Sequence, residues 1–366
     1  MSGTVLKEQF DAVKAGDAEG LARLLASASE APHARLLLTS MAQPDLRIIE
    51  ILLEAGADPN GAWRGYRPLH ALIQERASDG ADDLDTRLAC MDLLLAKGAE
   101  PELPAAFPPA TAVLIAAFTG IRAFVDKLLA AGAQDDAFVA CALGDAARLK
   151  RELKKTPPLP IARTPAGLTL LHCCVASRLG KHQRTVEKGL LACIDVLLEA
   201  GADPNAMVKS WSETVDVAYF ACRSGWRPAL EKLLKAGANA SAALRSAAWN
   251  EDPELLDVTI EHGGRIDEAL DEGRPVLNEL VRWGQVRPAL NLLERGASPN
   301  LQDPRGWTAL HQAASRGNRR LIEALLEAEA DPKMKDADGM TALDIAKKMR
   351  RKASIEALEG ARSLPG

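Results

Sequence analysis

The sequence predicts an all-α solenoid of stacked helix-turn-helix repeats with short β-hairpin fingers, curved, with several degenerate repeats. The first observation is that the nonapeptide LLEAGADPN occurs twice, at residues 52–60 and 197–205. The second is that imperfect copies recur along the chain at a period of about 33 residues, which marks a stacked-repeat solenoid. In each copy, Leu or Ile pairs at helical spacing precede a small residue and then Asp, Asn or Pro. That order is typical of an apolar helix face, a C-cap glycine and a turn.

The imperfect copies extend the pattern over most of the chain. They read LLLAKGAEPE (93–102), LLAAGAQ (128–134), LLKAGANA (233–240), IEHGGRID (260–267), LLERGASPN (292–300) and LLEAEADPK (325–333). Small Ala residues let a first helix lie close to its neighbours, and longer Leu and Ile residues of a second helix fill the space between repeats. No repeat can bury its apolar face alone, so the core exists only in the stack.

One stretch identifies the type of repeat. Residues 306–314 read GWTALHQAA and are followed by SRG at 315–317 and Leu/Ile pairs at 321–326. This resembles the ankyrin repeat, D-x-x-G-x-T-P-L-H-x-A-A-x-x-G followed by a second helix and L-L-x-x-G-A. Weaker copies are RPLH (67–70) and TLLH (169–172). About eleven repeats then cover residues 4–360 of a single solenoid, 1–366, with capping repeats at about 4–29 and 334–362. The resemblance implies that His70, His172 and His311 hydrogen-bond backbone between repeats.

Repeat lengths indicate a second layer of repetition. Repeats three (about 61–101) and six (about 164–205) are long, and their extra residues, 76–87 and 178–189, fall between the first and second helices. Repeats five and eight are short. We infer a duplicated three-repeat block, about 61–160 and 164–266. The two insertions differ in charge, since the first has four Asp against two Arg and the second has four Lys or Arg against one Glu.

The segment from Arg148 to Lys188 has ten basic and two acidic residues, a local charge of +8 in a chain of −5. It can be a set of solvated loops and helix faces. It can also be a basic patch that steers an acidic partner. A further basic cluster, 347–352, is explained by the polar outer face that a terminal repeat needs, with a nucleic-acid or localisation role as the alternative. The basic patch consists of Arg148, Arg151, Lys154, Lys155, Arg178, Lys181, Arg184 and Lys188.

Aromatic residues mark the candidate binding positions. The resemblance implies that the hairpin tips and the two residues after A-A face solvent on the concave side, which ankyrin-type binders generally use. Exposed aromatic rings do not serve stability, whereas Trp, Tyr and Arg are enriched in binding hot spots. The alternative is that some rings pack on a neighbouring hairpin. The candidates are Trp63, Tyr66, Phe107, Phe118, Trp249, Trp283 and Trp307, joined by Arg64, Arg223, Arg274, Arg282, Arg305 and Arg316.

Several classes of function lack their sequence signals. No apolar run approaches the roughly 18 residues of a membrane span, and no secretory signal is visible. The six cysteines show no metal-ligand spacing, so we expect no metal or cofactor and a reducing, cytoplasmic compartment. No catalytic or phosphate-binding motif appears. Cys173 and Cys174, beside His172, fall where a first helix should be packed, and we expect no enzyme activity.

The sequence therefore predicts a non-enzymatic protein–protein interaction module, an adaptor, inhibitor or antagonist that binds its partner through the concave face. The expected partner is a protein with an acidic region for repeats five and six and an apolar patch for repeats eight to ten. We expect a monomer. The alternative is a binder of nucleic acid or another polyanion through residues 148–188, which the net charge of −5 disfavours. An effector or immunity role would use the same binding mechanism, and the residues do not select it.

Overall fold

The computed structural model describes residues 3–28, 30–74, 84–105, 110–155, 161–210, 213–269 and 273–362. Within these ranges the chain forms 22 α-helices and one antiparallel strand pair. It divides into two compact units, Met1–Val217 and Ala218–Gly366. The helices of the first unit are α1 (Gly3–Ala15), α2 (Ala18–Ala26), α3 (Ala34–Ser40), α4 (Leu46–Glu54), α5 (Pro68–Gln74), α6 (Leu84–Ala96), α7 (Ala112–Thr119), α8 (Arg122–Ala130), α9 (Ala137–Leu143), α10 (Ala146–Lys155), α11 (Leu170–Ala176) and α12 (Arg184–Glu199).

The second unit contains ten helices. They are α13 (Val217–Ser224, whose first residue belongs to the first unit), α14 (Arg227–Lys235), α15 (Ala240–Ala247), α16 (Pro253–Glu261), α17 (Val276–Arg282), α18 (Val286–Leu293), α19 (Ala309–Arg316), α20 (Arg319–Glu327), α21 (Ala342–Lys348) and α22 (Lys352–Arg362). Taken in order, the 22 helices make eleven pairs, which agrees with the number of repeats that the sequence predicts.

Each unit is a helical solenoid. Within the first unit, the first helices α5, α7, α9 and α11 pack on one another in sequence, and the second helices α2, α4, α6 and α8 do the same. Within the second unit, α17, α19 and α21 form one such row and α18, α20 and α22 form the other. Ala313 and Ala314 of α19 are completely buried, as are Leu321 and Leu325 of α20. The predicted division between small first-helix residues and large second-helix residues is confirmed there.

The two copies of the nonapeptide have the same geometry. Gly56 and Gly201 follow their helices in the left-handed region, with φ of 90° and 87°. The next residue, Ala57 or Ala202, donates its backbone N–H to the carbonyl of Leu52 or Leu197 at 2.9 Å in both. This is the glycine-capped helix end that the sequence predicts.

The fingers are short. Strands β1 (Met207–Ser210) and β2 (Glu213–Asp216) pair in antiparallel register, Val208 opposite Val215. Other repeats turn with single bridges, such as Trp63 with Tyr66 and Lys335 with Thr341.

The insertion of repeat six is folded against its neighbours. Residues Leu179–His182 form a 3₁₀ helix in which Leu179 is buried. Just before it, the Ser177 hydroxyl donates to the carbonyl of Ala142 in repeat five at 2.6 Å, and the Arg178 N–H donates to the carbonyl of Ala117 in repeat four at 3.1 Å. The insertion of repeat three lies mostly outside the described residues.

Candidate functional site

The most exposed of the predicted binding aromatics, Trp283, is held by a buried carboxylate. Glu279, on α17, is only 6% exposed, and Trp283 is 60% exposed. The indole Nε1 of Trp283 donates to Oε2 of Glu279 at 3.0 Å. Oε1 of Glu279 lies 2.9 Å from Nε of Arg274 and 3.2 Å from Nη1 of Arg282. One buried carboxylate therefore orients three side chains that reach the surface, which is the arrangement a pre-organised binding site needs.

Trp307 is fixed at a hairpin tip in the next repeat. Its indole Nε1 donates to Oδ2 of Asp336 at 3.1 Å, and the Arg305 guanidinium carbon lies 4.6 Å from the ring centre. The buried Asp303 carboxylate accepts the backbone N–H groups of Arg305 and Trp307, each at 2.9 Å. Trp307 is half-buried, so it packs on a neighbouring hairpin and still presents one edge to solvent.

The remaining candidates of the second unit stand at the ends of first helices. Trp249, just after α15, is 43% exposed. Arg223 near the end of α13 and Arg316 at the end of α19 are also exposed. The expected exposure of these residues is confirmed, and their role in binding stays a prediction.

The first unit carries a separate aromatic and cationic cluster. Trp63 is 37% exposed, and its ring meets the ring of His33 edge-on at 5.3 Å between centroids. The guanidinium carbon of Arg35 lies 5.7 Å from the Trp63 centroid and 4.9 Å from that of Phe10, and that of Arg64 lies 5.9 Å from Trp63. The sequence interpretation included Trp63 and Arg64 but missed His33 and Arg35.

Arg64 adopts a backbone conformation that glycine favours. Its φ is 50° and that of Gly65 is 80°, between the bridged residues Trp63 and Tyr66. Two successive positive φ values match a type I′ turn, where Asn-Gly is the usual pair. Tyr66 is half-buried beneath this turn.

The predicted exposure of one candidate, Phe118, was wrong, and another candidate, Phe107, is not described. Phe118 was expected to face solvent, but it is 8% exposed. The insertion of repeat six closes over the end of α7, where the Arg178 carbonyl would lie 2.8 Å from a Cβ on Gly120. The path of that insertion could not be predicted from the repeat template. Phe107 lies outside the described residues.

The structure brings parts of the basic patch together. Helix α10 packs against α12, and exposed basic residues stand on both helices. Arg148 forms an ion pair with Asp135 at 2.6 Å, which neutralises one member of the patch. Arg178 is half-buried, and the side chains of Lys155 and Lys181 are outside the described part. The exposed members are Arg151, Lys154, Arg184 and Lys188.

The histidines have the structural role that the family resemblance implies. His70 and His311 place Nε2 3.2 Å from the carbonyls of Ala110 and Met340 in the following repeats. His172 forms a capping box with Thr169. Burial lowers the pKa of His70 to about 4 and that of His172 to about 3, and it lowers the pKa of His311 as well. All three are therefore neutral at pH 7 and serve as hydrogen-bonding groups.

The cysteines are free and buried. Burial raises the pKa of the Cys141, Cys173 and Cys174 thiols, which disfavours the thiolate that a nucleophile needs. In the described part of the chain, no group of three or more His, Cys, Asp or Glu side chains is arranged to hold a metal ion. None of the helices in that part is long and apolar enough to cross a membrane.

Helix pairs, glycine-capped turns and short hairpins define a class of protein, the two-helix repeat solenoids. Within that class, two stretches of the chain are identified as ankyrin repeats. The family model "Ankyrin repeats (many copies)" matches residues 292–346, and the model "Ankyrin repeat" matches residues 166–209.

The chain spans less than a tenth of the length of the curated relatives that it matches. A 72-residue stretch, 20% of the chain, is 38% identical to potassium channel AKT1 of Oryza sativa subsp. indica and, equally, to that of subsp. japonica, and it spans 8% of each channel. The ankyrin repeat domain of Bcl-3, a member of the IkappaB protein family, is 25% identical with a TM-score of 0.52, over 62% of this chain and 99% of that one. The human ASB11 domain is 24% identical with a TM-score of 0.48, over 64% of this chain and 100% of that one.

The sequence interpretation did not include the acidic residues that contact the candidate tryptophans, Glu279 and Asp336. Glu279 lies at an x position of the repeat template, directly after the position that histidine occupies in other repeats. Its spacing of three and four residues from Arg282 and Trp283 places all three on one side of a helix, and that spacing could have revealed the contact. Asp336 lies 29 residues from Trp307, so the sequence alone did not connect them.

Proposed function

We propose that this chain binds a partner protein through the first-helix ends and hairpin tips of its second unit, and acts as an adaptor, inhibitor or antagonist of that partner. Ankyrin repeats are generally protein–protein interaction modules, which supports the proposal. The observation that carries the proposal is the exposed Trp283, fixed by the buried Glu279. Folding does not require an exposed tryptophan at this position, whereas a rigid aromatic side chain loses little entropy when a partner covers it.

The neighbouring residues support the same surface. Trp307 and Arg305 stack in the next repeat, and Trp249 is exposed in the preceding one. Each ring offers a large apolar area, and the arginines supply hydrogen bonds at the edge. This combination is typical of binding hot spots. The concave-face position expected from the family resemblance and the cytoplasmic location both stay predictions.

The experiment begins with capture of partners from the native cell extract and their identification by mass spectrometry. The affinity of the purified partner is then measured for Trp249→Ala, Trp283→Ala and Trp307→Ala. We expect Trp283→Ala to weaken binding about tenfold or more, the effect of losing a hot-spot residue. Ile260→Ala, at an exposed position of the second helix α16, is the matched control and should bind as the wild type does. Unchanged affinity in all three tryptophan variants would refute the proposal.

The basic patch supports a second candidate, binding of nucleic acid or another polyanion, because α10 and α12 bring exposed lysines and arginines into one region. If a polyanion is the ligand, affinity for a duplex oligonucleotide must fall steeply between 50 and 200 mM salt, by about 10³-fold or more for six phosphate contacts. Lys154→Gln with Lys188→Gln should reduce that slope, and Lys235→Gln on α14 should not. Absence of binding at low salt would leave the patch as the place for an acidic region of a partner protein.

A further inference from the structure

Three successive repeats present a row of exposed side chains at the same template position. Trp283, Arg316 and Met349 are each 33 residues apart and end the first helices α17, α19 and α21 or directly follow them. Helix α17 packs on α19, and α19 packs on α21. Trp283 is 60% exposed and Met349 is 48% exposed, and Arg316 between them is also exposed. Along the row, an apolar side chain is therefore followed by a cationic one and then by a second apolar one.

Arg316 is placed beside Trp283. Its Nη1 lies 4.0 Å from the position of a Cβ on Gly284, the residue after Trp283. It makes no ion pair with a described residue. Arg351 adds a second guanidinium, since its Nε donates to the carbonyl of Ser315 at 2.9 Å. The end of α19 thus carries two cations next to two apolar side chains.

Two described carboxylates of these repeats, Glu279 and Asp336, already have partners. Glu279 is shared by Arg274 and Arg282, and Asp336 accepts from the Trp307 indole and from the backbone N–H of Met340. The second unit as a whole is neutral, because residues 218–366 contain 22 Lys or Arg and 22 Asp or Glu. The positive charge of the row is therefore a local concentration, to which an acidic ligand is complementary.

We propose that Trp283, Arg316 and Met349 form a row of three subsites for an extended acidic segment of the partner protein. One Asp or Glu of that segment pairs with Arg316, and apolar residues three positions before and three positions after it contact Trp283 and Met349. The proposal rests on the proposed function and specifies the chemistry of the bound segment.

The spacing of the subsites sets the spacing in the ligand. Packed helices lie about 8–10 Å apart, and three residues of extended chain span about 10 Å. A segment that crosses the helix ends therefore advances by one repeat for every three residues. The apolar–x–x–acidic–x–x–apolar pattern is symmetric, so either chain direction satisfies it. The basic residues 347–352 then contribute to binding as well as to the polar face of the capping repeat.

Selection of a phage-displayed library of random 12-residue peptides on the full chain tests the proposal. We expect enrichment of peptides with one acidic residue flanked at both third positions by Leu, Ile, Met or Phe. Enrichment of acidic peptides without that spacing, or no enrichment, would overturn the proposal.

Variants then assign the subsites. With an enriched peptide as probe, Arg316→Gln should weaken binding by about tenfold, the loss of a charge-assisted hydrogen bond, and Met349→Ser should weaken it by several fold. Arg316→Glu should recover binding when the central acid of the peptide is replaced by lysine. Arg320→Gln, exposed on α20, is the matched control and should have no effect. If Trp283→Ala abolishes binding but the Arg316 and Met349 variants do not alter it, the proposed function stands and this inference falls. If Trp283→Ala is also silent with the peptide, this inference falls, and the proposed function is decided by the affinity of the purified partner for the three tryptophan variants.

Discussion

Asn278 in repeat nine has the same structural role as His311 in repeat ten. Nδ2 of Asn278 donates to the carbonyls of Leu301 and Trp307 at 3.1 and 2.8 Å, and Nε2 of His311 lies 3.2 Å from the carbonyl of Met340. Both side chains tie a first helix to the hairpin of the following repeat. An amide can therefore replace the imidazole at this position and remove a titratable group.

The histidines should make the fold sensitive to acid. The folded pKa values of His70 and His172, about 4 and about 3, lie below the ordinary value of 6.5. Between these values the unfolded chain binds more protons, so the free energy of unfolding falls as the pH falls from 6.5 to 4. Each histidine accounts for up to about 3 kcal/mol at pH 4. Urea unfolding followed by circular dichroism should show a smaller fall for the double variant His70→Asn, His172→Asn. An equal fall in both proteins would contradict this explanation.

The charge of Glu279 should stabilise repeat nine. Glu279→Gln keeps an acceptor for the Trp283 indole but removes the negative charge that Arg274 and Arg282 contact. Both arginines are partly exposed, so we expect a loss of about 1–2 kcal/mol, less than for a fully buried pair. The comparison is Glu231→Gln, which removes a surface pair with Arg227 and should cost at most about 0.5 kcal/mol. Equal unfolding midpoints for the two variants would show that the cluster gives no extra stability.

The docking of α12 depends on a glycine contact. A Cβ on Gly189 would clash with the carbonyl oxygen of Gly144, whereas a Cβ on Gly201 would meet no described atom within 4 Å. Gly189→Ala should therefore destabilise the chain by about 3 kcal/mol, because backbone must move. Gly201→Ala should cost about 1 kcal/mol, from its φ of 87° alone. Thermal unfolding of both variants measures the difference, and the reverse order would contradict the close packing.

Glu329 occupies the glycine position of its repeat. Its φ is 64°, and the corresponding Gly296 of the preceding repeat has a φ of 84°. Glu329→Gly should therefore raise the free energy of unfolding by about 1 kcal/mol, since a left-handed conformation disfavours a side chain. Glu327→Gly, at the last residue of α20, should instead lower it by a similar amount. If both substitutions destabilise the chain, the φ of Glu329 is not a source of strain.

The fold could be predicted because one packing solution recurs. The helix pairs, the capping glycines of the nonapeptides and the bonding of His70, His172 and His311 all follow from that template. The duplication of a three-repeat block stays a prediction, because most of the first insertion lies outside the described residues.

The candidate site could be predicted only where it obeys the template. Trp249 and Trp283 follow the ends of their first helices and are exposed, as the template predicts. Phe118 stands at a comparable position and is buried, because an insertion that belongs to repeat six returns to the end of α7. Long-range partners such as Asp336 for Trp307 depend on how hairpins meet, which local patterns do not specify.

The path of the insertion in repeat six also has a consequence for the evolution of the repeat number. In a stack where each repeat touches only the next, a single repeat can be gained or lost and the remainder re-docks. Here Arg178 of repeat six bonds repeat four, and Ser177 bonds repeat five. The segment formed by Ser177 and Arg178 therefore crosses repeat five. Deleting the short repeat five would remove the contact of Ser177, and inserting a repeat would separate Arg178 from repeat four. Repeats four, five and six are therefore constrained to be inherited together, whereas the other repeats remain free to vary in number.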